Sequence, residues 1–237
     1  MAFSYSPKIV TDGLVLYLDA ANPYSYVSGS TSWNDISRSG NNGTLIFGPT
    51  YNTGSGGNIT FNGVNDYTNY GNVLNFERTD SFSFSVWVRA NTLTTFSTLI
   101  AKMDSSARGY FFAIEITGEV VFVLRNTLST NNLFVRTPAS QVVVNRWYNL
   151  TVTYNGTSLA NGVSFYINAA PTSNVVSFDN LTSTIITSQS GSIAARPFLG
   201  GGYLSGSIAS AQIYNKALST TEVLQNYNAT KGRFGLI

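Results

Sequence analysis

Apolar and polar residues alternate along much of this chain, and a period of two fits strands that bury one face. In SFSFSVWVRA, Phe82, Phe84, Val86 and Val88 fall on one side, and Ser83, Ser85, Trp87 and Arg89 on the other. RWYNLTVTY sets Tyr148, Leu150, Val152 and Tyr154 against Asn149, Thr151 and Thr153, and GVSFYIN repeats the pattern with Val163, Phe165 and Ile167. YFFAIEI and EVVFVL meet at Thr117 and Gly118, a hairpin whose glycine supplies the turn. Clusters of Asn, Ser, Thr and Gly separate these runs, with no long charged or Pro-rich linker to mark a domain boundary.

One segment departs from the alternation. LSTTEVLQNYNATKG places Ser219 three residues before Glu222, a capping box in which each side chain satisfies the other's exposed backbone donor. Val223, Leu224 and Tyr227 then share a face, and Lys231 with Gly232 closes the segment. Many strands and one short C-terminal helix in 237 residues imply an all-β protein of two packed antiparallel sheets.

Composition then narrows the function. Charged residues are 10% of the chain, against roughly 25% in an average globular protein. The 13 basic and 11 acidic residues form no block that could follow a phosphate backbone, so nucleic acid is not an expected partner. Cys and His are both absent, which excludes disulfides, thiol nucleophiles, His-based zinc sites and imidazole triads. The opening MAFSYSPKIVTDGLVLYLDA has the pattern of neither a secretory signal nor a membrane span.

The order of motifs resembles the laminin G-like, concanavalin A-type jelly roll. GLVLYLDAANPYSY and WNDISRSGNNGTL look like its opening, and GGNITFNGVNDYTNYG looks like its FDGxDDY segment. DSFSFSVWVRA, the hairpin strands and NRWYNLTVTYNGTSLANGVSFYINA are similar to the middle strands, and LSGSIASAQIYNKALSTTEVLQNYNATKGRF to the closing strand and helix. The resemblance implies one domain over 1–237, with a core at about 13–233 and short terminal docking segments, MAFSYSPKIV and GRFGLI. The ending YNKALSTTEVLQNYNATKGRFG further resembles laminin G-like domains in virion proteins of tailed bacteriophages. That implies a protein made in the host cytoplasm and carried on the particle.

Candidate sites follow from the loops. FNGVNDYTNY reads first as a turn, with Gly63 at positive φ and Asn62 and Asn65 bonding backbone. Its second reading is a calcium site made of Asp66, Asn65 and the distant Asp19, since hard cations take about six to eight oxygens. Where the resembling family often has an acid after the Ile of the last strand, this chain has Ala209 and Ser210. Trp33, with Tyr24 and Tyr26, is the candidate glycan contact, because aromatic faces suit the apolar side of a sugar. Trp87 and Trp147 read as core or inter-sheet packing.

No catalytic residue is expected. Glycoside hydrolysis needs two carboxylates about 5 to 9.5 Å apart, and the ExDxxE strand motif of jelly-roll glucanases does not occur. Glu115 and Glu119 flank the hairpin turn, and Glu222 is committed to capping. The expectation is a non-enzymatic surface, decoration or attachment protein of a virion. Its partners would be neighbouring capsid or tail proteins or a host surface glycan, with room for a homo-oligomer and none for membrane insertion. The alternatives are a purely structural decoration protein without a ligand and, third, a glycoside hydrolase.

Overall fold

In the computed structural model the described residues are 8–94 and 96–236, so most of the N-terminal segment named above lies outside them. The strands in chain order are β1 (Leu14–Asp19), β2 (Ser32–Trp33), β3 (Gly43–Ile46), β4 (Thr50–Asn52), β5 (Asn58–Asn62) and β6 (Tyr67–Gly71). There follow β7 (Phe82–Ala90), β8 (Ser97–Met103), β9 (Gly109–Ile114), β10 (Val120–Thr127), β11 (Asn131–Arg136) and β12 (Tyr148–Tyr154). The last are β13 (Val163–Ile167), β14 (Ala170–Thr172), β15 (Val175–Asp179), β16 (Gly191–Ile193) and β17 (Ser205–Tyr214), followed by helix α1 (Thr220–Thr230).

These strands form two antiparallel sheets, as the alternation implied, in the jelly-roll sandwich that the resemblance implied. The eight-stranded sheet runs β14-β13-β12-β7-β17-β5-β4, with β1 also paired to β17. The nine-stranded sheet runs β15-β11-β10-β9-β8-β16-β6-β3-β2. Phe82, Phe84, Val86 and Val88 of β7 face Tyr110, Phe112, Phe122 and Leu124 of the other sheet in one continuous core. Within it Phe84 lies 5.3 Å from Tyr110 and 6.2 Å from Phe122, between ring centroids.

β17 organises the first sheet. One edge pairs with β7, while the other takes β5 along Ser205–Ile208 and then β1 from Ser210 to Tyr214. The register breaks between Ile208 and Ser210, and there Ala20 N–H donates to Ala209 O at 2.9 Å. The bulge lets one strand serve two partners end to end.

Helix α1 begins with both bonds of the expected capping box. Its buried face differs from expectation: Val223 and Asn226 are buried, Tyr227 is half-buried and Leu224 is exposed. Asn226 takes an inner position because it bonds the Val10 N–H at 2.7 Å and the Tyr214 hydroxyl at 3.0 Å. The left-handed stop falls at Gly235, after a further 3₁₀ turn over Lys231–Phe234, and not at Gly232.

Trp87 is buried, as expected, but on the outer face of its sheet and not between the sheets. Phe234 stacks on it at 3.9 Å and Tyr227 at 5.7 Å, and its indole N–H donates to Thr230 Oγ1 at 2.8 Å. Both segments expected to dock partners are therefore used at home where they are described. Val10 and Phe234 lie on the chain's own eight-stranded sheet. Phe234→Ala is expected to cost about 2 kcal/mol, for a half-buried ring in two aromatic contacts. Urea unfolding and a red shift of tryptophan emission are the checks.

Lys102 points into the sandwich, where Nζ donates to Asn72 Oδ1 at 2.6 Å and Gln189 O at 2.5 Å, both neutral acceptors. Burial pulls its pKa down to about 8. The folded protein therefore holds fewer protons than the unfolded chain from about pH 8 to the ordinary lysine value near 10.4, and stability rises with pH there. Above about pH 10 the phenols of Tyr70, Tyr110 and Tyr214, all pushed up by burial, reverse the slope as unfolded tyrosines ionise. Lys102→Met is expected to abolish the rise and keep the fall, as read from urea midpoints between about pH 7 and 11.

Candidate functional site

The FNGVND segment is a turn between β5 and β6. Asn62 Oδ1 accepts the N–H groups of Val64, Asn65 and Asp66 at 2.8, 3.1 and 3.2 Å, and Gly63 sits at φ 74°. Asn65 spends its own Oδ1 on Asn62 Nδ2 at 2.8 Å. Asp66 is 4% exposed: Oδ2 accepts the Asn62 N–H at 3.1 Å, and Oδ1 is buried without a partner. Burial raises its pKa against the opposing Asn62 bond.

Asp19 lies at the other end of β5, roughly 13 Å away at a strand's rise per residue. Arg233 fixes that position, bonding Asp19 Oδ1 at 2.9 Å and the carbonyls of Ser55 and Gly57 at 3.3 and 3.2 Å. The Tyr17 hydroxyl occupies Asp19 Oδ2 at 2.9 Å. Asp19, Asn65 and Asp66 thus converge on no point and do not fit a calcium ion. Among the described residues no group of three or more acids is arranged to hold one.

This geometry makes a prediction about Asp66. Because its folded pKa is raised, its contribution to stability is lost as pH rises, and at neutral pH the buried charge is a cost. Asp66→Asn is expected to be at least as stable as the parent at pH 7, with the gain fading as pH falls toward the carboxylate range. Thermal unfolding with and without calcium chloride is the check; neither protein should respond to the ion.

The aromatic trio also separates. Trp33 is fully buried and Tyr26 nearly so, its ring tilted against Tyr51 at 5.2 Å, so both are packed in the core. The dense loop between β1 and β3 folds inward, and its large rings fill the edge of the sandwich. Tyr24 is 84% exposed. It joins Asp19 in a groove of about 670 Å³ between β1, its following loop and the end of α1, lined also by Tyr17, Thr230 and Arg233.

A second concavity was not foreseen. On the outer face of the eight-stranded sheet a trough of about 300 Å³ is lined by Asn52, Asn58, Thr60, Arg89, Asn91, Trp147 and Ser207, with Gly54 and Ser55. Asn58 and Thr60 come from β5, Arg89 from β7 and Ser207 from β17, while Trp147 immediately precedes β12. Trp147 is half-buried, with one flank 4.9 Å from Phe234. Thr60 and Ser207 share a hydroxyl bond at 2.9 Å, and Asn58 holds Gly54 O at 2.8 Å. Arg89 reaches only Asn145 Oδ1, at 3.5 Å, and its Nε is buried without a partner. The Trp147 indole N–H and the side-chain amide of Asn91 make no hydrogen bond with any described residue. The outward turn of Arg89 was legible in the alternation of β7, but the convergence of four strands and the residue before β12 was not.

The eleven carboxylates are all engaged. Glu115 accepts from Arg136 at 3.5 Å, Glu119 from the Thr117 hydroxyl and Glu77 from Ile185 N–H at 3.1 Å. Asp35 accepts Tyr17 N–H, Asp80 Glu77 N–H, Asp104 Arg108 N–H and Asp179 Ala160 N–H. Asp12 and Glu222 share Lys216 at 2.6 and 2.7 Å. Asp19 and Asp66 are held as described above. The trough contains no acid, and the larger groove contains only Asp19.

Two sheets of this order with a capped helix on the outer face define a lectin-like sandwich. Residues 61–224 match the concanavalin A-like lectin/glucanases superfamily, and the chain belongs to it. No curated protein matches. Among solved structures it is similar to the binding domain of Paraclostridial Mosquitocidal Protein 1, with TM-score 0.68 and 18% identity over 92% of this chain and 52% of that one. The binding domain of botulinum neurotoxin DC, solved with rat synaptotagmin II, gives 0.67 and 15% over 93% and 52%. Domain 4 of AbnA, an arabinanase from Geobacillus stearothermophilus solved with arabinotriose, gives 0.60 and 17% over 90% and 98%. The chain spans about half the length of the two toxin domains. At these identities the likeness establishes the fold.

Proposed function

We propose that this domain binds glycans without cleaving them, through the trough beside Trp147, and that it does so on the particle of a tailed bacteriophage. The observation that carries the reading is the unspent bonding capacity there. A half-open indole with a free N–H stands beside Arg89 and Asn91, among amides and hydroxyls. A sugar presents the complement, an apolar ring face edged with hydroxyls.

Support comes from the neighbours. AbnA domain 4 was solved with arabinotriose and the neurotoxin domain with a protein, so this scaffold serves recognition by contact in other proteins. The superfamily name covers glucanases as well as lectins. A non-enzymatic role is favoured by the carboxylates, each tied to a turn, a cap or a cation and none paired with another across a groove described above. The virion setting rests on the likeness of YNKALSTTEVLQNYNATKGRFG to the ends of phage virion domains. In that setting a host surface sugar is the natural ligand, and other capsid or tail proteins are the neighbours.

A glycan array probed with the parent and Trp147→Ala tests the proposal. Binding to a restricted set of sugars, weakened at least about tenfold in the variant, is expected. Absence of binding would favour a purely structural decoration role, and release of product from an oligosaccharide would restore the hydrolase.

A further inference from the structure

The outer face of the nine-stranded sheet carries two arginines, Arg125 and Arg196, that no carboxylate pairs among the described residues, whereas Arg136 on the same face is paired with Glu115 at 3.5 Å. Cross-strand pairing aligns Met103, Gly109, Arg125 and Asn132 in one row across β8, β9, β10 and β11. Ala101, Phe111, Val123 and Phe134 form the next row. Paired residues project from the same side, and Met103, Phe111 and Val123 pack together away from the main core. Arg125 therefore emerges at the margin of an apolar patch. Gly109 has φ 131°, and a Cβ there would meet Lys102 O at 1.9 Å, so the row is notched between Met103 and Arg125.

Arg196, in the turn after β16, lays its guanidinium 4.8 Å from the Phe96 ring centroid and 5.0 Å from that of Phe111. It thus shares Phe111's patch with Arg125. Neither guanidinium makes a hydrogen bond or ion pair with a described residue. The Nε of each is buried and unpartnered, while the terminal nitrogens of both reach solvent. Asn132, opposite Arg125 in the pairing, is fully buried with both amide atoms unpartnered. Burial, and then the charge of Arg196, lower the pKa of Arg125.

Two guanidiniums on one face, near enough for the charge of one to act on the other and neither in an ion pair, repel and lose solvation. Their planar forks match an oxyanion, which would offset both costs. We propose that Arg125 and Arg196 form an oxyanion site, on the face opposite the trough, that takes the carboxylate or sulfate of an acidic sugar. The choice of a sugar rests on the glycan reading above; the oxyanion site rests on the arginines alone.

The test is titration with sodium glucuronate, sodium sulfate and glucose at constant ionic strength, following the arginine Nε–H signals by NMR and the unfolding temperature. Glucuronate, sulfate or both are expected to shift the Arg125 and Arg196 signals and raise the unfolding temperature, while glucose does neither at these residues. Glucuronate identifies a sugar acid and sulfate a sulfated ligand or free anion; either supports the site. Arg125→Met and Arg196→Met keep the apolar stem and are expected to weaken anion binding at least about tenfold. Free of anion, Arg125→Met should be no less stable than the parent, since a like-charge contact is gone. Trp147→Ala should bind these anions unchanged, which separates this site from the trough. Indifference to both anions, or undiminished binding in both arginine variants, overturns the proposal.

Discussion

The backbone pairing of β17 with β7 on one edge, and with β5 and then β1 on the other, is the constraint on which the remaining structure hangs. It joins the first strand to the last and leaves Val10 and Phe234 on the outer face of one sheet. Helix α1 and the turn after it then have one place to go, across Trp87. Arg233 is delivered to Asp19, and Phe234 to the gap between Trp87 and Trp147. The part of that outer face around Trp87 is thereby closed. The part from Trp147 to β4 stays open as the trough.

Charge is distributed in a way that suits contact more than catalysis. With 11 acidic residues in 237, each carboxylate has a structural duty as a turn bond, a cap or an ion pair. Several cations have none. Lys102 meets only neutral oxygens, and Arg125 and Arg196 meet no oxygen at all among the described residues. On the proposal above, Arg125 and Arg196 are the surface cations left for an anionic partner.

What was legible came from local physics. The strand at Phe82–Ala90, the hairpin at Gly118 and the capping box at Ser219 are fixed by period, turn chemistry and a bond three residues long, and all are found. The functional residues were harder. Trp33 and Tyr26 sit in a loop-like sequence, yet the loop folds inward and buries them, because a sandwich edge needs large rings to exclude water. Asp19 and Asp66 seemed able to share an ion, but β5 holds them at opposite ends. Asn226 was no part of the face expected from Val223, Leu224 and Tyr227, yet it is buried, since it satisfies Val10 and Tyr214 together.

The sequence by itself determined the class of fold, the position of the helix and the absence of imidazole and thiol chemistry, since each follows from residue type and short-range spacing. Only the tertiary structure decided which aromatic rings are open, which carboxylates are taken and where uncompensated cations gather. Those properties depend on pairs such as Arg233 with Asp19, or Arg196 with Phe111, which lie 214 residues apart in the first case and on a turn and a strand joined only by folding in the second. Burial and electrostatic neighbours are set by strand order, and no local pattern encodes them.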